Sequence, residues 1–532
     1  MVVSEFGLGS RNSLAIMTVP PRWILSFWRW LPALGVALIS SYLAVLLKLS
    51  CGAYEIGADE GMELAKACLL QQHPDLIDRC WNDQPWLFSR WIVSVGADAF
   101  GGRLLVGALS LVGLLSMGWI AGRDSMAAGF LAPGLMLLWP KIPEFSLSAM
   151  LEWPAWCCGL LAAALLPERD TVGRRWRVGA ACGVFAVAVG LKLTVLILGP
   201  ALLARWWIGR KGIGAEPVGL ASGGLRDAAP EMAIGCTAFL LVSVLILITG
   251  PHHDPSVMWA SHATTRNHPE ALNISLDLVA IARGAPGIVM AAGLGLIQLL
   301  LLRAWRSLAV PVTLGVTALL VHLFHHPFWW YYEMHFGIAL SLLGGIGVPA
   351  AIRRYRASSP TGTDRRAEGW MLVGSLALAM IAAVEIPRHY SEIQTIIWSS
   401  KIQQNSLVQT ARRYARPTDW AYAATSELFH HVGVAHPPEI TIVPLKRFWN
   451  GSISRNAIVE IVRRYDCGML LLREDRELKF PEWQALVAES FVAVYSDRFQ
   501  TLFVHRRMNP TRVEPSGDWQ RRLGVKIDAT SP

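Results

Sequence analysis

The chain has 532 residues, of which 53% are hydrophobic and only 16% charged, and its formal net charge is +9. Soluble domains carry about 25% charged residues, so this balance excludes a soluble protein whose helices are simply buried; the charge-free runs Leu104 to Ile120 and Met232 to Ile248 exclude it again. The positive charge gathers in loops, without a basic stripe interleaved with aromatics, which excludes a nucleic-acid partner.

Apolar runs of about twenty residues, the length a helix needs to cross a bilayer, recur through the first part of the chain. In chain order the expected spans are 31–49, 103–121, 126–140, 147–166, 178–191, 193–204, 231–249, 280–302, 307–325, 330–350 and 370–387. The fold class is therefore an α-helical polytopic membrane protein of about eleven spans. Residues 1–30 form a cytoplasmic segment and the first span reads as an uncleaved signal-anchor. The loop 50–102 follows, with an amphipathic helix over 86–98 lying at the interface. The fifth and sixth runs are short and meet at Lys192; they form either one tilted helix or a hairpin that does not fully cross.

Basic residues set the orientation. Arg22 and Arg29, then Arg169, Arg174, Arg175 and Arg177, then Arg205, Arg210, Lys211 and Arg226, then Arg303 and Arg306, then Arg353, Arg354, Arg356, Arg365 and Arg366 all fall on one side of the spans above. That side is expected in the cytoplasm. The loop 50–102 faces the other way and is acidic, with Glu55, Asp59, Glu60, Glu63, Asp75, Asp78 and Asp83. Cys51, Cys68 and Cys80 share this loop, and Cys68–Cys80 is the expected pair if a disulfide forms.

From about residue 388 charges return and apolar runs shorten to strand length. Strands are expected over Ala421 to Thr425, Glu439 to Val443, Gly468 to Leu472, Val492 to Tyr495 and Thr501 to Val504, with helices over Ser454 to Tyr465 and Pro481 to Ser490. The domains are thus a transmembrane domain over 31–387, an extracytoplasmic α/β domain over 388–507 and a polar tail over 508–532 expected to be disordered.

The residues able to carry chemistry cluster at the outer edge of the spans. Asp59 and Glu60 are adjacent, and adjacent side chains diverge, so they are not expected to share a proton. One can face a substrate while the other binds a metal or holds the loop. A carboxylate beside a membrane cavity meets the needs of a general base, its pKa lifted by partial desolvation. His252, His253 and Asp254, with His262 and His268 nearby, are candidate ligands for a divalent metal. His325, His326, Tyr332, Glu333 and His335 form another group beside Trp329 and Trp330, rings suited to the headgroup belt or to stacking on sugars.

Five segments in order carry a family resemblance. They are Asp59-Glu60 with its short helix Gly61 to Gln72 and His73-Pro74; Asp83-Gln84-Pro85-Trp86-Leu87; Phe100-Gly101-Gly102-Arg103-Leu104-Leu105; Met150-Leu151-Glu152-Trp153-Pro154; and Gly190-Leu191-Lys192-Leu193-Thr194. From residue 31 to about 350 the chain resembles the membrane-embedded GT-C glycosyltransferases. More narrowly it resembles protein mannosyltransferases that use dolichyl-phosphate mannose, and their bacterial relatives, the lipid A aminoarabinose transferases. It departs from that pattern where a tandem proline is reduced to Pro85, where Glu152 replaces an aspartate, and where Tyr331-Tyr332-Glu333-Met334-His335 stands for a Tyr-Leu-Leu-Pro-like stretch.

The resemblance implies a sugar moved from a polyprenyl-phosphate donor to an acceptor hydroxyl of a lipid, glycan or protein, with inversion, at the outer face of a bacterial inner or cell membrane. It implies Asp59 as base, Glu60 and Glu152 as residues that orient the acceptor or hold a metal, and Lys192 and Arg103 as partners of the donor phosphate. Asp83, Tyr332, Glu333 and His335 are the implied substrate contacts. Two competing readings stay open: a transporter or flippase, disfavoured by the absence of an internal repeat, and a non-catalytic assembly subunit.

Overall fold

The protein is described here as a computed structural model covering residues 22–508 apart from 58, 168–172, 211–223, 251–262, 267, 359–364, 400, 417 and 424–426. The expected tail beyond Met508, residues 1–21 of the segment 1–30, and His252, His253, Asp254 and His262 lie outside the described residues.

Each of the eleven apolar runs falls on helix. The elements that build the bundle are α1 (Arg22–Ser50), α2 (Glu60–Gln72), α3 (Leu87–Ser94), α4 (Ala99–Gly122), α5 (Met126–Leu137), α6 (Glu152–Leu165), α7 (Arg174–Leu191), α8 (Gly199–Arg210), α9 (Gly224–Thr249), α10 (Leu278–Gly284), α11 (Pro286–Leu301), α12 (Trp305–Phe324), α13 (Glu333–Ser358), α14 (Arg365–Met380) and α15 (Ile386–Trp398). Among the described residues, 6 helices are long and apolar enough to cross a membrane alone, and the bent pair α10 and α11 makes up to 7. The remaining runs are shorter helices packed among these.

The helix boundaries follow local chemistry. Asp98 caps α4 by accepting from Gly101 N at 2.5 Å, and Ser125 caps α5 by accepting from Ala128 N at 3.2 Å. The 103° bend between α10 and α11 comes at Gly284-Ala285-Pro286, where Pro286 occupies the first turn of the second helix. The buried Glu385 carboxylate meets that helix start, accepting from Gly287 N at 2.7 Å. The choice between one helix and a hairpin at Lys192 resolves as a break. Lys192 is extended (φ −150°, ψ 124°), and a 3-10 turn Leu193–Leu198 leads into α8. At the centre of the bundle α13 is largely buried up to Ala350, and it crosses α11 where Gly347 meets Gly295: a Cβ on Gly347 would sit 2.0 Å from the Gly295 Cα.

Hydrogen bonds sort the helix ends into two layers. Arg123, Ala164, Leu166, Arg174 and Glu231 meet at one end; Arg174 Nε donates to Glu231 at 2.9 Å and Arg123 donates to Ala164 O at 3.1 Å. The opposite end carries the loop 50–102 and the C-terminal domain. That domain holds a four-stranded sheet of order β1-β2-β4-β3, with β1 (Ala421–Ala423) parallel to β2 (Met469–Arg473), and β3 (Phe491–Ser496) and β4 (Gln500–His505) antiparallel. Arg455–Arg464, capped by Ser454, and Pro481–Ser490 are the expected helices.

Two expectations are corrected. Glu439–Val443 is no strand: Pro438–Ile440 is a 3-10 turn, with prolines at 437, 438 and 444 removing the N–H groups a ladder needs. Its carbonyls instead accept from Arg447, at Glu439 O (2.8 Å) and Ile442 O (2.7 Å). Cys68 and Cys80 are both buried and free, and the Cys80 thiol donates to Trp81 O at 3.6 Å.

The loop 50–102 is clamped from both sides. On the bundle side Arg103 makes a fork onto Glu60, Nε to Oε1 at 2.9 Å and Nη2 to Oε2 at 2.7 Å, while its Nη1 donates to Ala53 O at 2.8 Å. Both side chains are buried, at 2% and 0% exposure. On the domain side Ile402 N donates to Gly52 O at 2.7 Å, Gln72 donates to Gly433 O at 3.0 Å, and Leu69, Ile77, Cys80 and Trp86 pack with Ile442. Removing one partner of a buried pair strands the other charge, at a cost of roughly 3–5 kcal/mol. Arg103→Met is therefore expected to lose that much stability in detergent unfolding, and Glu60→Leu with Arg103→Met to lose less than either single change. Additive losses would show that the pair is not a unit.

Candidate functional site

Asp59 and Glu60 divide as their adjacency requires. Glu60 turns inward, where Arg103, Ala149 N (3.2 Å) and Ile56 N (3.1 Å) occupy its carboxylate. It is saturated by this chain, and four of the five N–H groups of Arg103 go to Glu60 and to the Ala53 and Ser50 carbonyls. The geometry gives both a scaffolding role, in place of the acceptor or metal contact expected of Glu60 and the phosphate contact expected of Arg103. Asp59 precedes α2 and faces the other way. It is half-buried, and its carboxylate makes no capping bond to its own helix and no other hydrogen bond or ion pair among the described residues.

The other acids around it are engaged. Glu63 accepts from Lys66 at 2.5 Å and from Ser89 at 3.1 Å, with Lys66 over the Trp86 ring. Asp83 forms an ion pair with Lys446, which enters from the C-terminal domain on the short helix Leu445–Trp449. Lys446 and Arg447 both lie over Trp81, at 5.5 and 5.0 Å from its ring centroid. This cation–aromatic seam joins the two parts of the site.

Glu152, at the first turn of α6, pairs with Lys192 at 3.1 Å, where the helix break after α7 delivers the lysine. Its Oε1 accepts from Thr194 at 2.6 Å and from His335 Nε2 at 3.1 Å. Lys192 also lies 5.3 Å from the Tyr331 ring. Tyr332 is buried beside it, stacked on His322 at 4.9 Å and 5.3 Å from His335. Glu333, half-buried, opens α13 from the same turn.

Asp59 feels both lysines. Burial lifts its carboxyl above the usual range; Lys192 and then Lys446 oppose the lift, while Glu63 and Glu152 add to it. A carboxylate with a raised pKa, no partner of its own and a cation on each side can take a proton from an incoming hydroxyl and leave a nearby phosphate something to bind. No group of three or more metal-ligating side chains occurs among the described residues; the proposed ligands His252, His253 and Asp254 lie outside them. His268 is described, and it stacks on Trp449 at 5.3 Å and accepts from Glu270 N.

Lys446, His322, Thr194 and Tyr331 are the site residues that sequence reading did not single out. Thr194 and Tyr331 sat inside segments already marked. His322 lies in an apolar run, and Lys446 comes from a domain with no motif, so nothing local separates either from an ordinary residue.

No protein-family model matches the chain, and no curated protein matches it. Solved structures do. ArnT from Cupriavidus metallidurans bound to undecaprenyl phosphate is similar at 13% identity and a TM-score of 0.59, covering 88% of this chain and 97% of that one. The same protein in the apo state gives 14% identity, a TM-score of 0.56 and the same coverage. The Archaeoglobus fulgidus oligosaccharyltransferase in the apo form gives 10% identity and a TM-score of 0.51, covering 91% of this chain and 74% of that one. The likeness spans the bundle and the C-terminal domain together, and the chain has the fold of the GT-C membrane glycosyltransferases.

Proposed function

We propose that this chain transfers a sugar from a polyprenyl-phosphate donor to an acceptor hydroxyl, with inversion, on the face of the membrane away from its arginine-rich turns. The observation that carries the reading is Asp59, whose carboxylate has no hydrogen bond or ion pair among the described residues and feels the charges of both Lys192 and Lys446. The undecaprenyl phosphate held by ArnT supports a polyprenyl phosphate as the lipid half of the donor. The concentration of Arg and Lys in the turns at the opposite end supports an extracytoplasmic site.

In this reading Asp59 accepts the proton of the acceptor hydroxyl as its oxygen bonds to the anomeric carbon. The carbon–oxygen bond to the phosphate breaks on the far side, and the electron pair leaves with the lipid phosphate. Negative charge grows on that leaving group, and fixed cations in a water-poor site stabilise it strongly. Lys192 supplies one, held by Glu152 in a pair that keeps it charged although buried. Lys446 supplies the second from the C-terminal domain.

Purified full-length protein assayed with polyprenyl-phosphate sugars, following release of the lipid phosphate, tests this. Asp59→Asn is expected to lower kcat about 10²- to 10⁴-fold; equal turnover would remove Asp59 from the base role. The sign of the pH effect follows from the raised Asp59 pKa. The base form is lost as pH falls through that raised value, so kcat/KM should climb with pH through a limb lying above the ordinary carboxylate range. That limb should vanish in Asp59→Asn. Lys446→Gln is expected to raise donor KM about tenfold, the loss of one charge-assisted hydrogen bond. An unchanged KM would confine Lys446 to holding the domain in place.

A further inference from the structure

Behind Glu152 a second pair of imidazoles continues the hydrogen-bond chain into the bundle. His335 Nε2 lies 3.1 Å from Glu152 Oε1, and His335 Nδ1 lies 2.9 Å from His322 Nε2. Glu152, His335 and His322 are 2%, 0% and 1% exposed. The chain connects α6, α13 and α12, elements far apart in sequence.

Its polarity can be deduced. A neutral imidazole has one donor and one acceptor nitrogen. Glu152, paired with Lys192, is an acceptor, so His335 carries its hydrogen on Nε2 and accepts at Nδ1. His322 must then carry its hydrogen on Nε2, which leaves its Nδ1 a bare acceptor. That atom is buried and has no hydrogen-bond partner among the described residues. Its ring is walled by Tyr332 at 4.9 Å, Phe328 at 5.1 Å and His325 at 6.2 Å. Trp156, 4.5 Å from the His335 ring, also has a buried indole N–H without a partner. A buried acceptor left unpaired is disfavoured, and each such group in a native structure calls for an explanation.

We propose that His335 and His322 are positioning residues, a neutral relay with both hydrogens on Nε2 that turns Glu152 toward Lys192 and so fixes the ammonium at the point where the donor's lipid phosphate departs. This rests on the transfer reading above. The relay neutralises one oxygen of Glu152 by donation from His335 and Thr194, so the other oxygen is held on Lys192 in one orientation. Without it only Thr194 still holds that oxygen, Glu152 gains rotational freedom, and Lys192 moves with it relative to the leaving group. The unpaired Nδ1 of His322 is what a relay pointing in one direction leaves at its far end.

The relay is needed most when charge develops on the phosphate, so it should appear in kcat more than in donor KM. His335→Phe is expected to lower kcat about 10- to 100-fold, the range seen when the outer partner of a charged ligand is removed, with donor KM moving far less. His335→Gln, which keeps an N–H toward Glu152, should recover most of the loss. Phe and Gln variants that unfold at the same temperature in detergent but differ in kcat would exclude a purely structural role. An unchanged kcat in His335→Phe, or a loss that His335→Gln does not recover, would overturn the proposal. Independently of turnover, nitrogen NMR of the histidine-labelled full-length protein should show both rings unprotonated at Nδ1, assigned by their disappearance in His335→Gln and His322→Gln. A hydrogen on either Nδ1 would overturn the polarity. If wild type transfers no sugar from any polyprenyl-phosphate donor, the transfer reading fails, while the nitrogen spectrum still decides the relay.

Discussion

The buried fork between Arg103 and Glu60 decides where everything outward of the bundle can be. Arg103 lies near the start of α4, buried, and its guanidinium cannot stay in an apolar layer uncompensated. Glu60 compensates it, and the Ala53 and Ser50 carbonyls take the remaining hydrogens. The loop 50–102 is thereby tied to the start of α4, and Ala149 N ties it to the segment before α6. With Glu60 pulled inward, its neighbour has one direction left. Asp59 is exposed to the site because Glu60 is not.

The same logic explains why the site holds its lysines. An ammonium in a low-dielectric layer persists only with a counter-charge nearby. Glu152 serves Lys192, Glu63 serves Lys66 and Asp83 serves Lys446. Each of these pairs is satisfied without Asp59, whose ionisation is therefore not committed to any of these three lysines as an ion pair. Because a buried charge is raised in energy by burial and lowered by its neighbours, the poise of Asp59 depends on cations that come from two different parts of the fold.

The bundle was legible because lipid imposes a strong rule: backbone groups must be satisfied within the segment, so twenty-residue apolar runs become helices. The outer cluster of acids was legible for the related reason that charge beside lipid is costly. What could not be read was the division of labour within it. Asp59 and Glu60 have the same chemistry and adjacent numbers; only the position of Arg103 across the fold separates them. Glu439 to Val443 alternates like a strand, yet flanking prolines at 437, 438 and 444 remove the donors that pairing needs. Lys446 and His322 were invisible because their partners, Asp83 and His335, are not neighbours on one helix face or strand.

The C-terminal domain is bound to the loop through polar contacts as well as packing, and this has a consequence for function. Asp83 and Trp81 hold Lys446 at the edge of the site. The ion pair that docks the C-terminal domain and one of the cations that acts on Asp59 are therefore the same side chain, so the seating of the domain and the poise of that carboxyl are set together.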